Sequence, residues 1–142
     1  MILNPIPIKF FNRDAVCVAK ELLGKVIYSK YNDLWLTAQI IETEAYYLND
    51  KASHASLGFT KKRKALFMHP GTIYMYFSRG SDSLNISYHG EGNAVLIKSG
   101  YPIKNSGNFD TMIKIMQYLN PLKKQARDSQ DRKAMFRSNT FM

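Results

Sequence analysis

The stretch that decides the fold is Leu34-Trp35-Leu36-Thr37-Ala38-Gln39-Ile40-Ile41-Glu42-Thr43-Glu44-Ala45-Tyr46. It is rich in β-branched and aromatic residues, and it follows the turn signal Tyr31-Asn32-Asp33, so it reads as one long strand. Alternation puts Leu36, Ala38, Ile40, Glu42 and Glu44 on one face and Trp35, Thr37, Gln39, Ile41 and Thr43 on the other. The apolar run of the first face therefore ends in two carboxylates. Lys25 to Lys30, rich in Val, Ile and Tyr, reads as the strand before it. Upstream, residues 13–23 carry Ala15, Val18, Ala19, Leu22 and Leu23 at helical spacing, with Asn12 or Asp14 to cap the start and Gly24 to end the helix. Cys17 falls inside this helix and by default reads as a small core hydrophobe.

Downstream, residues 47–64 read as loop and contain His54, Gly58 and the basic run Lys61-Lys62-Arg63-Lys64. Thr72 to Ser78 is a strand after the Pro70-Gly71 turn, with Tyr74 and Tyr76 on one face. Arg79-Gly80-Ser81-Asp82 reads as a turn, and Asn85 to Tyr88 and Ala94 to Lys98 as strands. Residues 110–119 form a short helix through Met112, Ile115, Met116 and Leu119, stopped by Asn120-Pro121. From Lys123 onward the chain is polar and basic, with the composition of a frayed helix or a disordered tail. Strands flanked by terminal helices place the chain in the α+β class. Its 142 residues suit one domain over 1–142, and its 45% hydrophobic content is enough for a core.

Twenty Lys and Arg against eleven Asp and Glu leave a net charge of +9, which favours a polyanionic partner. No apolar stretch approaches the roughly 20 residues of a membrane span, and the N-terminus lacks the pattern of a signal peptide. A single cysteine rules out an internal disulfide and a cysteine-cluster metal site, and a reducing cytoplasm is the expected compartment. His54, His69 and His89 show no metal-ligand spacing, and the GxSxG elbow of serine hydrolases is absent.

Partial burial at the end of an apolar strand face would raise the pKa of Glu42 and Glu44 and fit either for proton transfer. The plainer reading is a pair of strand-end charges matched by nearby lysines. Lys61 to Lys64 reads as a solvated loop or as a set of phosphate contacts. Tyr46, Tyr74 and Tyr76 read first as sheet-face packing and second as a stacking platform.

The ordered strings Glu42-Thr43-Glu44-Ala45-Tyr46, Ala52-Ser53-His54, Ala65-Leu66-Phe67-Met68, Pro70-Gly71-Thr72-Ile73-Tyr74-Met75-Tyr76, Leu84-Asn85-Ile86 and Gly90-Glu91-Gly92, the last ahead of Ala94-Val95-Leu96-Ile97, resemble the 3-methyladenine DNA glycosylases of the alkyladenine type. The resemblance covers about residues 8–102, and residues 104–142 diverge. It implies a curved, mainly antiparallel sheet with flanking helices, and an enzyme that hydrolyses the bond between an alkylated or deaminated purine, hypoxanthine included, and its sugar. The nucleotide would be flipped out of duplex DNA. Glu44 matches the family's general base, which activates water for attack on C1′. Tyr46 would stack on one face of the base, with His54 and Tyr76 on the other, and Asn85 would screen the purine edge. Lys98 stands where the family has an arginine near the catalytic water. Arg79 stands where the family has a tyrosine wedge. Lys61, Lys62 and Arg63 would contact DNA together with Arg79.

The resemblance implies no cofactor and no metal, and no lysine matches a Schiff-base nucleophile, so a monofunctional glycosylase acting as a monomer is expected. If the source is bacterial, the cytoplasmic location becomes the nucleoid. Family members continue beyond the length of this chain, so it reads as a C-terminally shortened member. A truncated, non-catalytic DNA-binding paralogue and a basic RNA-binding module are the competing readings. Intact Glu44, Tyr46, His54, Tyr76 and Asn85 favour the enzyme.

Overall fold

The computed structural model describes residues 4–78, 81–104 and 107–120. In chain order the elements are α1 (Ala15–Leu22), β1 (Val26–Tyr31), β2 (Leu34–Tyr46), β3 (Ile73–Ser78), β4 (Ser81–Ser87), β5 (Ala94–Pro102) and α2 (Phe109–Leu119). Short 3-10 turns occur at Ile8–Phe11, His54–Leu57 and Lys64–Phe67. The strands form one sheet in the order β1-β2-β5-β4-β3. The β1–β2, β3–β4 and β4–β5 pairs are antiparallel, so the expected α+β class holds. No helix among the described residues is long and apolar enough to cross a membrane. Contacts group the chain into two compact units, and β2 passes from the first to the second after Gln39.

The first unit contains β1, the opening half of β2 and α2. β1 and β2 form a hairpin with Val26 opposite Gln39 and Tyr31 opposite Leu34. Asn32 turns the chain at φ +51°, a left-handed conformation that asparagine tolerates. Tyr31, read from the sequence as part of the turn, is therefore the last residue of β1. Thr37 is only 1% exposed. Its hydroxyl donates to the carbonyl of Ile103 at 2.8 Å and lies 3.4 Å from the Met112 sulfur of α2. Both faces of β2 are thus covered here, which simple alternation does not reveal. α2 starts at Asn108, whose side chain accepts from the Thr111 N–H at 3.1 Å.

The second unit holds α1, the rest of β2, β3, β4 and β5 as far as Gly100. The Asp14 carboxylate caps α1 by accepting from the N–H groups of Val16 and Cys17 at 3.0 and 3.3 Å. Ala15, Val18, Ala19 and Leu22 form its buried stripe. Cys17 and Leu23 are exposed, contrary to the expectation for both. Cys17 lies about 200° around the helix from Ala15, so the buried stripe turns it outward. α1 is fixed to β2 where the Thr43 hydroxyl donates to the Ala19 carbonyl at 2.9 Å. A hydrophobic cluster of Ala55, Leu66, Tyr74 and Ala94 packs with Leu48, Ala65, Phe67 and Tyr76. It ties the 3-10 turns of residues 47–72 to the sheet.

Two strand boundaries differ from the sequence reading by four residues, and others by one. β4 begins at Ser81, because Ser81 pairs with Ser78 and Asp82 with Phe77. These polar residues read as a turn, but cross-strand pairing outweighs their weak strand propensity. β5 runs on to Pro102, past the expected end at Lys98. The tail from Lys123 lies outside the described residues.

Candidate active site

The site grows from the end of β2. Glu42 and Glu44, two residues apart on a strand, share a face. Lys98 of β5 meets this face. Its ammonium donates to Glu44 and lies 3.7 Å from Glu42 Oε1. The Tyr46 hydroxyl also donates to Glu44, and the Ser99 hydroxyl donates to Glu42 Oε2 at 2.9 Å. Tyr46 is held from behind, because the buried Tyr88 hydroxyl donates to its carbonyl at 2.7 Å. Burial pushes the Tyr88 phenol well above the usual tyrosine range. It therefore stays a donor.

The expectation that burial raises the Glu44 carboxyl is overturned. Its pKa is lowered from the ordinary glutamate value. The hydrogen bond from Lys98 is the larger cause, and the one from Tyr46 follows. Burial opposes both, but with 31% of the side chain exposed it is the weaker effect. The plainer reading, of strand-end carboxylates matched by lysine, describes the contacts of both glutamates.

A second cluster is aromatic. His54 stands on its 3-10 turn, held at the start by Ser53, whose side chain accepts from the Ala55 N–H at 3.2 Å. The His54 and Tyr76 rings stack with centroids 4.0 Å apart and planes 26° from parallel. His54 Nδ1 shares a 2.9 Å hydrogen bond with the Tyr74 hydroxyl. Burial, and then the Arg63 charge, lower the His54 pKa from 6.5, so the imidazole is neutral at pH 7. Asn85 is 6% exposed and lies directly opposite Tyr74 across the β3–β4 pair. Its side-chain amide donates to the Ser83 carbonyl at 3.5 Å, a long contact.

The structure thus brings Glu44, Tyr46 and Lys98 into one cluster and His54 and Tyr76 into another, with Asn85 beside Tyr74. Lys61 and Lys62 are exposed. Arg63 is half-buried, and its Nε donates to the Thr60 hydroxyl at 3.3 Å. Arg79 lies outside the described residues. His69 and His89 stand elsewhere, against Thr72 and Asn12. Among the described residues, no three His, Cys, Asp or Glu gather where a metal ion could be held. Sequence reasoning missed Tyr74 as the partner of His54 and Ser99 as the partner of Glu42. The shared face of Tyr74 and Tyr76 was the available signal for the first. Nothing in the sequence marked the second.

Residues 9–134 match the family model described as methylpurine-DNA glycosylase. The chain belongs to the methylpurine-DNA glycosylase family. The match extends past residue 102, where the resemblance read from the sequence ended. A protein of Pseudomonas aeruginosa (strain LESB58) named "Putative 3-methyladenine DNA glycosylase" is 61% identical over 118 residues, 83% of this chain and 49% of its own length. A Pseudomonas fluorescens (strain Pf0-1) protein of the same name is 67% identical over 93 residues, 66% of this chain and 40% of its own. One from Carboxydothermus hydrogenoformans is 39% identical over 102 residues, 70% of this chain and 53% of its own. The chain spans about half the length of the curated relatives it matches.

Proposed function

We propose that the chain carries the lesion pocket of a monofunctional DNA glycosylase that releases alkylated purines, of the 3-methyladenine type, and hypoxanthine from duplex DNA. The observation that carries this reading is the carboxylate of Glu44, ionised at neutral pH and oriented by Lys98 and Tyr46. A damaged nucleotide flipped from the stack enters between Tyr46 and the His54–Tyr76 pair. An N-alkylated purine carries positive charge, which the faces of aromatic rings attract. Neutral His54 suits such a guest, whereas an imidazolium would repel it. Asn85 reads the purine edge with its amide. Lys61, Lys62, Arg63 and Arg79 hold the DNA backbone.

The C1′–N9 bond breaks with its electron pair passing to the departing purine, and positive charge develops on the sugar. Ionised Glu44 stabilises that charge across a short, partly desolvated path. Water then bonds to C1′ and passes its proton to the Glu44 carboxylate. A glutamate with a lowered pKa is a weak base, so charge stabilisation and water orientation are its larger contributions. Lys98 fixes the carboxylate and keeps it ionised.

Chromatography of purines released from methylated DNA and from inosine-containing duplex tests the reading. Release of 3-methyladenine and hypoxanthine supports it. Salt-dependent DNA binding without release would replace it with a non-catalytic DNA-binding protein. A preference for single-stranded RNA would replace it with an RNA-binding module.

A further inference from the structure

Leu57 and Phe59 are large apolar side chains left 67% and 62% exposed. They flank Gly58, which takes φ +80° and leaves open space where a Cβ would stand. Side chains three residues apart eclipse one another on a 3-10 turn, so Leu57 lies on the same side of its turn as His54, whose ring stacks on Tyr76. Phe59 is anchored rather than loose, because its ring meets Phe67 edge-on at 5.5 Å, and Phe67 packs on the hydrophobic cluster. After Thr60 come Lys61, Lys62, Arg63 and Lys64, four consecutive cations, of which Lys61, Lys62 and Lys64 are exposed. Apolar side chains held out beside a row of cations have the chemistry of a DNA contact. The cations take phosphates, and the apolar groups enter a groove or an opened base step.

We propose that Leu57 and Phe59 form an apolar contact with duplex DNA, set beside the aromatic pocket and framed by the phosphate contacts of Lys61, Lys62 and Lys64. The contact extends the DNA-binding reading and adds two residues whose contribution is not electrostatic. An apolar contact releases no counterions, so its removal lowers affinity equally at every salt concentration. Removal of a lysine instead flattens the salt dependence.

The test compares the parent chain with Leu57→Ser, with Leu57→Ser/Phe59→Ser and with Lys61→Ala/Lys62→Ala. The duplex carries a stable abasic-site analogue with 2-aminopurine as its neighbour. Affinity is measured across a salt series, with circular dichroism to confirm folding. Leu57→Ser keeps the Phe59–Phe67 contact and guards against loss of local structure. The double serine variant is expected to bind about tenfold more weakly with an unchanged salt slope, and the single variant to fall between it and the parent. Both are expected to reduce the rise in 2-aminopurine fluorescence that unstacking produces. Parent-like affinity and fluorescence in a folded double serine variant would overturn the proposal, and so would an effect traced by sedimentation to the loss of a dimer. A parent that fails to bind DNA at all would overturn the DNA-binding reading itself.

Discussion

Glu44 accepts hydrogen bonds from a cation and from a phenol, and its acidity follows from that competition. The folded-state pKa lies below the ordinary glutamate value. The stabilisation it contributes is therefore full above the ordinary glutamate range and is lost as pH falls through the lowered value. Lys98→Met removes the larger cause, so the Glu44 pKa is expected to rise toward or beyond the ordinary value. Carbon-detected NMR titration of the carboxyl would record the shift, and an unmoved pKa would count against the Lys98 contact. His54 makes a separate prediction. Protonation there puts a cation against the bound base, so release of a cationic alkylated purine is expected to fall as pH drops through the lowered His54 pKa, on the acid side of the ordinary histidine value. Release of neutral hypoxanthine should fall less. Release ratios measured from pH 5 to 8 decide this, and a constant ratio would contradict the role given to the neutral ring.

At the scale of elements, caps and turns set local stability. Asn108→Ala removes the cap of α2 and is expected to cost about 1 kcal/mol in urea unfolding. Gly92→Ala meets two obstacles. Gly92 takes φ +74°, and an added Cβ would fall 2.5 Å from Leu48 Cδ1 and 3.2 Å from the Ala55 methyl. A loss of roughly 1–3 kcal/mol is expected, and a parent-like urea midpoint would contradict the tight packing beneath the His54 turn. β2 was legible to the residue because β-branched and aromatic residues recur from Trp35 to Tyr46, with no Gly or Pro among them, after the Tyr31-Asn32-Asp33 turn signal. β4 was not, since Ser81 and Asp82 join the sheet only through β3. Cys17 was misplaced by weighing residue type above angular position on α1. Glu44, Tyr46, His54, Tyr76 and Asn85 could be named as candidates because each sits within an ordered motif. The sign of the Glu44 pKa shift was not, because it depends on a lysine 54 residues away in sequence.

Over the whole molecule, the +9 charge favours a polyanionic partner, and under the proposed function that partner is DNA. Each phosphate contact contributes close to one unit to the slope of log affinity against log salt. Lys61→Ala/Lys62→Ala is expected to flatten that slope by about two. The central claim is that this chain breaks the purine–sugar bond through Glu44, and single-turnover base release tests it most directly. Parent and Glu44→Gln are mixed in excess with a duplex bearing one alkylated purine, and released base and bound DNA are followed together. The account predicts release by the parent, a loss of roughly 100-fold or more in Glu44→Gln, and nearly equal DNA binding by the two. Equal release by both proteins, or DNA binding by the parent with no release, would contradict it.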